Sequence, residues 1–343
     1  MKYRYAITFI PGFTDVVRRA LQRDIPDGEL IEEEDGLFVI DTKAVPSRLR
    51  MVSYVNNIYF CLQLSLFSPE VSLEKRVKQI SHDLPLDTVS GLWPFRDAQS
   101  FRMMVLQGSR LVHIPKSLAK RIQEHVINET GWEYSPLRAD SEIWILARES
   151  GLTMATLKIE EAHVPVPTVA GELKPKLAEL LILASRPLPD DRFLDPFAGY
   201  GSLAKARIRI GDYAEIRAYD KDADLVRSLR KQLGSAPRVI TGQLDALRMR
   251  QLPDGSVSRI VTDPHWGVFT GQDLNYRKFY EDMLHEFARV LSRDGIAVIL
   301  AGNPDEMEYA ILRSRVFVIE SSFTTLVSGK KATVFTLTKA GRF

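Results

Sequence analysis

The chain is poor in cysteine: Cys61 is the only one in 343 residues. A single thiol excludes an intrachain disulfide framework. Its apolar surroundings, IYFCLQL, make it a core residue of a protein kept in a reducing compartment. Long hydrophobic runs are lacking too, and no stretch approaches the ~18 apolar residues of a membrane-spanning helix. The opening MKYRYAITFIPG alternates polar and apolar residues where a secretory leader would present an apolar block. A cytoplasmic protein without membrane contact is the expectation. Charge of one sign is also scarce, with 46 Lys+Arg against 44 Asp+Glu and a formal net charge of +2. Bulk charge therefore announces no nucleic-acid binding, and any contact with phosphates has to come from local patches. Internal repeats and low-complexity tracts do not stand out, no metal is expected, and a monomer is assumed. What is present is an ordinary globular composition, 45% hydrophobic and 26% charged, in a chain long enough for two or three domains.

The first 68 residues read as a small α+β, ferredoxin-like unit. KYRYAITFIPG is a strand; FTDVVRRALQRDI is a helix with Val16, Val17, Leu21 and Ile25 at helical spacing; GLFVIDT is a second strand. The acidic run around Glu32 to Asp35 reads as a solvated turn. SRLRMVSYVNNIYFCLQLSLF leads from a helix into a strand. Residues 69–162 then give a helix (LEKRVKQIS), a loop holding Trp93, Pro94 and Phe95, a strand (QSFRMMVLQG), a helix (IPKSLAKRIQEHVINETGW) and two more strands. From Arg102 to Arg138 six basic residues (Arg102, Arg110, Lys116, Lys120, Arg121, Arg138) face three acidic ones (Glu124, Glu129, Glu133). That surplus suits an ordinary solvated helix face as well as a phosphate-contacting one. HVPVPTVAG concentrates prolines and a glycine, so residues 163–172 are the expected linker and 173–343 the last domain.

In that last domain FLDPFAGYGSLAKAR, Phe193 to Arg207, turns an apolar run through glycines into a helical pattern. Gly199 and Gly201 let the backbone approach a ligand at a helix N-terminus. Asp195 at the strand end is placed to accept hydrogen bonds from a cationic or amino-bearing ligand. About nineteen residues past Gly201, Asp220 ends the next strand, EIRAYD, where an acid can hold ribose hydroxyls. An adenosine-containing cofactor follows. Gly199-x-Gly201-x-x-Ala204 by itself fits the nicotinamide dinucleotide as well as S-adenosylmethionine. Strand and helix alternate from here, which implies a parallel sheet, and VFVIESSFTTLVSG with KKATVFTLTK closes the chain as a hairpin around Ser328-Gly329-Lys330.

Three features favour the methyl donor: the loop's own DPFAGYG, Asp245 after the third strand in position for an adenine amino group, and TDPHWG, Thr262 to Gly267, after the fourth strand. The chain here resembles the amino-methyltransferases, whose fourth strand ends in Asp/Asn-Pro-Pro-Tyr. Asp263, Pro264 and Trp266 stand at the acid, first proline and aromatic positions, and His265 departs from the second proline. An exocyclic base amine is a poor nucleophile because its lone pair is conjugated with the ring. A carboxylate and a backbone carbonyl that accept both N–H bonds let the nitrogen pyramidalise, and an aromatic ring stacks on the base. His265 reads either as a plain loop residue or as an aid to proton removal. Phe197 and Tyr200 suit packing before cofactor contact. Asn275, Tyr276 and Arg277 are undiagnostic neighbours.

The order of segments resembles the THUMP-containing RNA guanine-N2 methyltransferases, with strand, basic helix, strand, strand in residues 69–162 similar to the RNA-binding THUMP domain. That resemblance implies an α/β fold, a Rossmann-like class I methyltransferase domain whose parallel sheet has an antiparallel last strand, behind the two N-terminal domains. It implies N2-methylation of a guanosine in tRNA. The implied cofactor set is Asp195, Phe197, Ala198, Gly199, Gly201, Ser202, Asp220, Lys221, Asp245, Ala246 and Asp263. The implied catalytic set is Asp263, Pro264, His265 and Trp266, with Arg102, Arg110, Lys116, Lys120 and Arg121 on RNA. The amine clamp equally serves adenine N6 in DNA or RNA, and the departure at His265 leaves open an RNA-binding protein that keeps the fold without the reaction.

Overall fold

The computed structural model describes residues 2–89, 91–159, 171–264 and 275–341. The chain divides into two compact units, Met1–Phe9 with Arg18–Val164 and Ile10–Val17 with Pro165–Phe343. Among the described residues no helix is long and apolar enough to cross a membrane.

In chain order the N-terminal part contains β1 (Tyr3–Thr8), α1 (Thr14–Asp24), β2 (Glu29–Glu34), β3 (Leu37–Thr42), α2 (Pro46–Leu49), β4 (Asn57–Leu66), α3 (Leu73–Ile80) and β5 (Ser100–Gln107). It continues with β6 (Arg110–Leu111), α4 (Lys116–Thr130), β7 (Glu133–Tyr134), β8 (Ser141–Ala147) and β9 (Leu152–Ile159). One sheet of order β2-β3-β1-β4-β9-β8-β5-β6 runs through all of it, with β7 added on β5. The segments 1–68 and 69–162 therefore share a sheet, joined where β4 pairs antiparallel with β9 from Ile58↔Ile159 to Leu66↔Leu152. Cys61 lies in β4 next to a register shift and is buried. Burial pushes its thiol up to about 12, which leaves it an inert core group.

One expectation is corrected here. The acidic run is not a solvated turn: Glu32, Glu33 and Glu34 are the second half of β2, which pairs with β3 from Glu29↔Asp41 to Glu34↔Leu37. An edge strand exposed on both sides needs no apolar alternation, and charged side chains discourage a further strand from adding to it. Glu33 and Glu34 are paired with Arg18 and Arg148 at 2.5 and 2.6 Å.

The second unit carries α5 (Pro175–Ala184), β10 (Arg192–Asp195), α6 (Ser202–Ile210), β11 (Glu215–Asp220), α7 (Ala223–Leu233), β12 (Val239–Gln243) and β13 (Val257–Thr262). After these come α8 (Tyr276–Val290), β14 (Leu291–Ala301), α9 (Pro304–Ser314), β15 (Phe317–Val327) and β16 (Lys330–Lys339). The sheet order is β12-β11-β10-β13-β14-β16-β15. All neighbours up to β14 pair in parallel, and the last strand, β16, runs antiparallel between β14 and β15. Its hairpin turns on Ser328 and Gly329, with φ of 49° and 82°. Two positive φ values in a two-residue loop match the twist of the flanking strands. On one face α8 buries Phe279, Tyr280, Met283, Leu284, Phe287 and Val290 in a cluster with Ala297 and Ile299 of β14. Strands β10, β11 and β13 thus end together at one edge of a parallel sheet, where such folds place ligands.

Candidate active site

The loop from β10 to α6 is held by carboxylates. Asp195 is buried, and its Oδ1 accepts from the Thr262 hydroxyl at 2.8 Å and from the Phe197 N–H at 3.2 Å. Burial pushes this carboxyl up to about 8, with the nearby Asp220 and Asp263 adding to the rise. Asp220, at the tip of β11, accepts the Gly199 N–H on Oδ2 and the Asp222 N–H on Oδ1, both at 2.9 Å. The Ala198 N–H meets the Tyr219 carbonyl at 2.8 Å, and the Gly201 N–H closes onto the Ala198 carbonyl at 2.7 Å. Gly201 is the N-cap of α6 at φ 83°; a Cβ there would stand 3.0 Å from Leu229 Cδ2 and 3.2 Å from Leu233 Cδ1. A Cβ on Gly199, at φ 51°, would meet nothing within 4 Å. The first glycine faces open space and the second faces the core.

This arrangement fits an adenosine-bearing cofactor. An open glycine backbone lies beside a helix N-terminus, and each oxygen of Asp220 keeps a lone pair beyond its one backbone bond. Asp195 differs from Asp220 in what it joins: its Oδ1 ties the end of β10 to the end of β13 through the Thr262 hydroxyl. Thr262, which the sequence reading quoted within TDPHWG and assigned no role, makes that tie. Ser202 and Lys205, on the first turn of α6, both hold Glu172, at 3.1 and 3.0 Å. Phe197 packs edge-on against Phe279, ring centroids 5.9 Å apart, and Ala198 is buried. Lys221 is exposed just past β11. Beyond β12 the Leu244 N–H bonds the Asp220 carbonyl at 3.0 Å, which brings Asp245 and the buried Ala246 to the same edge. Asp245 accepts the Leu247 N–H at 3.0 Å and opens onto a polar cleft of about 640 Å³ that also holds Arg248, Lys278, Asp282 and His285.

Asp263 is half-buried and Pro264 buried, directly after β13. His265 and Trp266 lie outside the described residues. Asn275 caps α8, accepting the Lys278 N–H at 3.2 Å, and Arg277 pairs with Glu306 at 2.6 Å. Among the described residues no cluster of side chains is set to hold a metal ion.

In the first unit Lys116, Lys120 and Arg121 are exposed on α4 and Arg110 on β6. Lys120 has Glu124 at 3.6 Å, and Arg102 is half-buried and spent on Glu142. Beside Lys116 lies an apolar groove of about 390 Å³, lined by Met103, Met104, Leu111, Ile114 and Tyr134 among others.

Residues 166–327 match the family UPF0020, described as RMKL-like, methyltransferase domain. No curated protein matches the chain. In fold the whole chain is similar to TrmN from Thermus thermophilus, with a TM-score of 0.77, 19% identity and coverage of 99% of this chain and 100% of that one. It is similar to SMU.472 in complex with SAH, TM-score 0.67, 14% identity, covering 100% and 99%. A predicted N6-adenine-specific DNA methylase from Listeria monocytogenes gives 0.66 and 13% identity over 98% and 96%. Residues 166–327 are thus a methyltransferase domain of the RMKL-like kind.

Proposed function

We propose that this RMKL-like methyltransferase domain modifies RNA, transferring a methyl group to the exocyclic N2 amine of a guanosine in tRNA. The observation that carries the reading is the placement of Asp263-Pro264 at the end of β13, against the β10 end where the glycine loop begins. S-adenosylmethionine supplies a methyl group on a sulfonium that leaves as a neutral thioether, so no strong base is needed to start the transfer. Asp220 and the backbone around Gly199 hold the adenosine part, with Asp245 toward the adenine. The Asp263 carboxylate and the Pro264 carbonyl accept the two N–H bonds of the amine, which frees its lone pair from the ring. Asp263 then takes the proton that the nitrogen sheds on gaining the methyl. Trp266 supplies the ring that stacks on the base.

Residues 1–68 and 69–162 are the RNA-holding part in this reading, followed by the linker 163–172 and the catalytic domain from 173. Lys116, Lys120 and Arg121 on α4, with Arg110, contact phosphates. The groove with Tyr134 suits an unstacked base, which an aromatic side chain can cover. Support comes from the exposure of all four cations; Arg102, engaged by Glu142, contributes less.

The test is nucleoside mass spectrometry of tRNA incubated with the protein and labelled S-adenosylmethionine. N2-methylguanosine is the expected product. N6-methyladenosine instead would move the clamp to the other amine, and binding of the cofactor without turnover would leave an RNA-binding protein.

A further inference from the structure

The strand order reverses between β10 and β13: from β10 the chain moves out to β11 and β12, and from β13 it moves to β14 on the other side. A parallel sheet opens its ligand crevice at such a reversal, beyond the carboxyl ends of the two strands. The register shows where they part. β10 pairs with β11 as far as Asp195↔Ala218, and β13 pairs with β14 as far as Thr262↔Ile299. Between β10 and β13 the pairs are only Phe193↔Arg259 and Leu194↔Ile260. Past Leu194 the backbone ladder between the two central strands has ended.

A side-chain bond takes over there. The Thr262 hydroxyl donates to Asp195 Oδ1 at 2.8 Å, and both residues are buried. Each is the last residue of its strand. Asp195 leads through Pro196 into the glycine loop, and Thr262 is followed at once by Asp263 and Pro264. The bond therefore joins the two backbones that carry the two halves of the site. Each half also has anchors of its own. The glycine loop keeps the Gly199 N–H on Asp220, the Ala198 N–H on the Tyr219 carbonyl and the Phe197 N–H on Asp195. The end of β13 keeps its ladder with β14.

We propose that Thr262 is a positioning residue for methyl transfer, its hydroxyl bond to Asp195 setting the separation between the donor held by the glycine loop and the amine held by Asp263 and Pro264. This rests on the reading of Asp263 and Pro264 as the amine's acceptors. Binding of either partner draws on anchors that survive without the hydroxyl, whereas their mutual placement draws on the bond itself. Transfer between two held groups is sensitive to that placement, and an error of about 1 Å can cost about 10²-fold in rate.

The experiment uses the full chain with Thr262→Val, which keeps the shape and removes the hydroxyl, and Thr262→Ser, which keeps the hydroxyl and removes a methyl group. With tRNA and labelled S-adenosylmethionine, kcat of Thr262→Val falls by about tenfold or more. KM for tRNA and the calorimetric affinity for S-adenosylmethionine stay within about twofold, the pattern of an interaction that acts on the transfer step. Thr262→Ser restores kcat to within about threefold of the parent's. A bisubstrate compound, the donor's adenosyl chain joined covalently to the guanine amine, loses affinity for Thr262→Val by about the same factor as kcat. Unchanged kcat in Thr262→Val would overturn the proposal. A loss of kcat that follows the unfolding midpoint across the two variants, or one matched by the loss of S-adenosylmethionine affinity, would overturn it too, the first making Thr262 a packing residue and the second a support of the glycine loop alone. If Asp263→Asn turns over like the parent, the amine-clamp reading fails and this proposal with it. If Asp263→Asn is inactive while Thr262→Val keeps its kcat, only this proposal fails.

Discussion

In the proposed reading the edge where β10, β11 and β13 end and the exposed face of α4 meet two different binding problems. At the sheet edge Asp195 and Asp220 are buried and committed to named backbone and hydroxyl groups. On α4 Lys116 and Arg121 are exposed, and Lys120 has only an i,i+4 partner in solvent. A methyl transfer needs atoms held to fractions of an ångström, whereas a phosphate backbone is attracted by charge over many ångströms. The contrast predicts that single substitutions act differently at the two places: on the chemical step at the first, on salt-dependent affinity at the second.

Asp263→Ala is the sharpest probe of that contrast. Turnover is expected to fall by about 10²–10⁴-fold with S-adenosylmethionine binding retained in calorimetry, and activity near the parent's would erase the chemical half of the comparison. The double variant Lys116→Ala, Arg121→Ala comes next. Its RNA affinity, titrated across salt concentrations, is expected to lose about two units of log–log slope, with kcat at saturating RNA unaltered. An unchanged slope would remove α4 from the interface.

Gly201→Ala has a smaller expected effect. A side chain at φ 83° that approaches Leu229 to 3.0 Å should cost about 1–2 kcal/mol, read as a lower unfolding midpoint with weaker cofactor binding. Asp195→Asn has the subtlest. The folded carboxyl keeps its proton up to about 8, while the unfolded one releases it in the ordinary carboxylate range. The folded state therefore binds more protons through that window, and stability falls as pH rises from about 4 to about 8. Denaturant titrations at pH 5 and pH 8 should show this decline in the parent and less of it in Asp195→Asn. Equal slopes would mean that the buried acid is not the source.

Much of the second unit was legible because its signals are local. Gly199, Gly201 and Asp220 stand at a spacing that a strand, a turn and a helix impose, and the Ser328-Gly329 turn announces its hairpin. Glu29–Glu34 escaped because an edge strand wet on both faces has no periodicity to read. The helix α9 was passed over, although Met307, Ala310 and Ile311 form its buried face at helical spacing. Thr262 belongs to another category: its bond to Asp195 joins strands far apart in the chain, so no window of sequence contains it. The basic side chains of α4 were visible from the start, but exposed charge looks the same whether or not a polyanion meets it.

The bond from the Gly199 N–H to Asp220 has a kinetic side. Because the carboxylate and the Tyr219 carbonyl already hold the loop, a nucleoside sulfur compound arriving there has little backbone to organise, and association pays a small entropic toll. A site shaped in advance receives the spent thioether on nearly the same terms as the charged donor, since the adenosine half is common to both. In the proposed reading the two sulfur species therefore compete for one preformed site, and the by-product is expected to inhibit in proportion to its share.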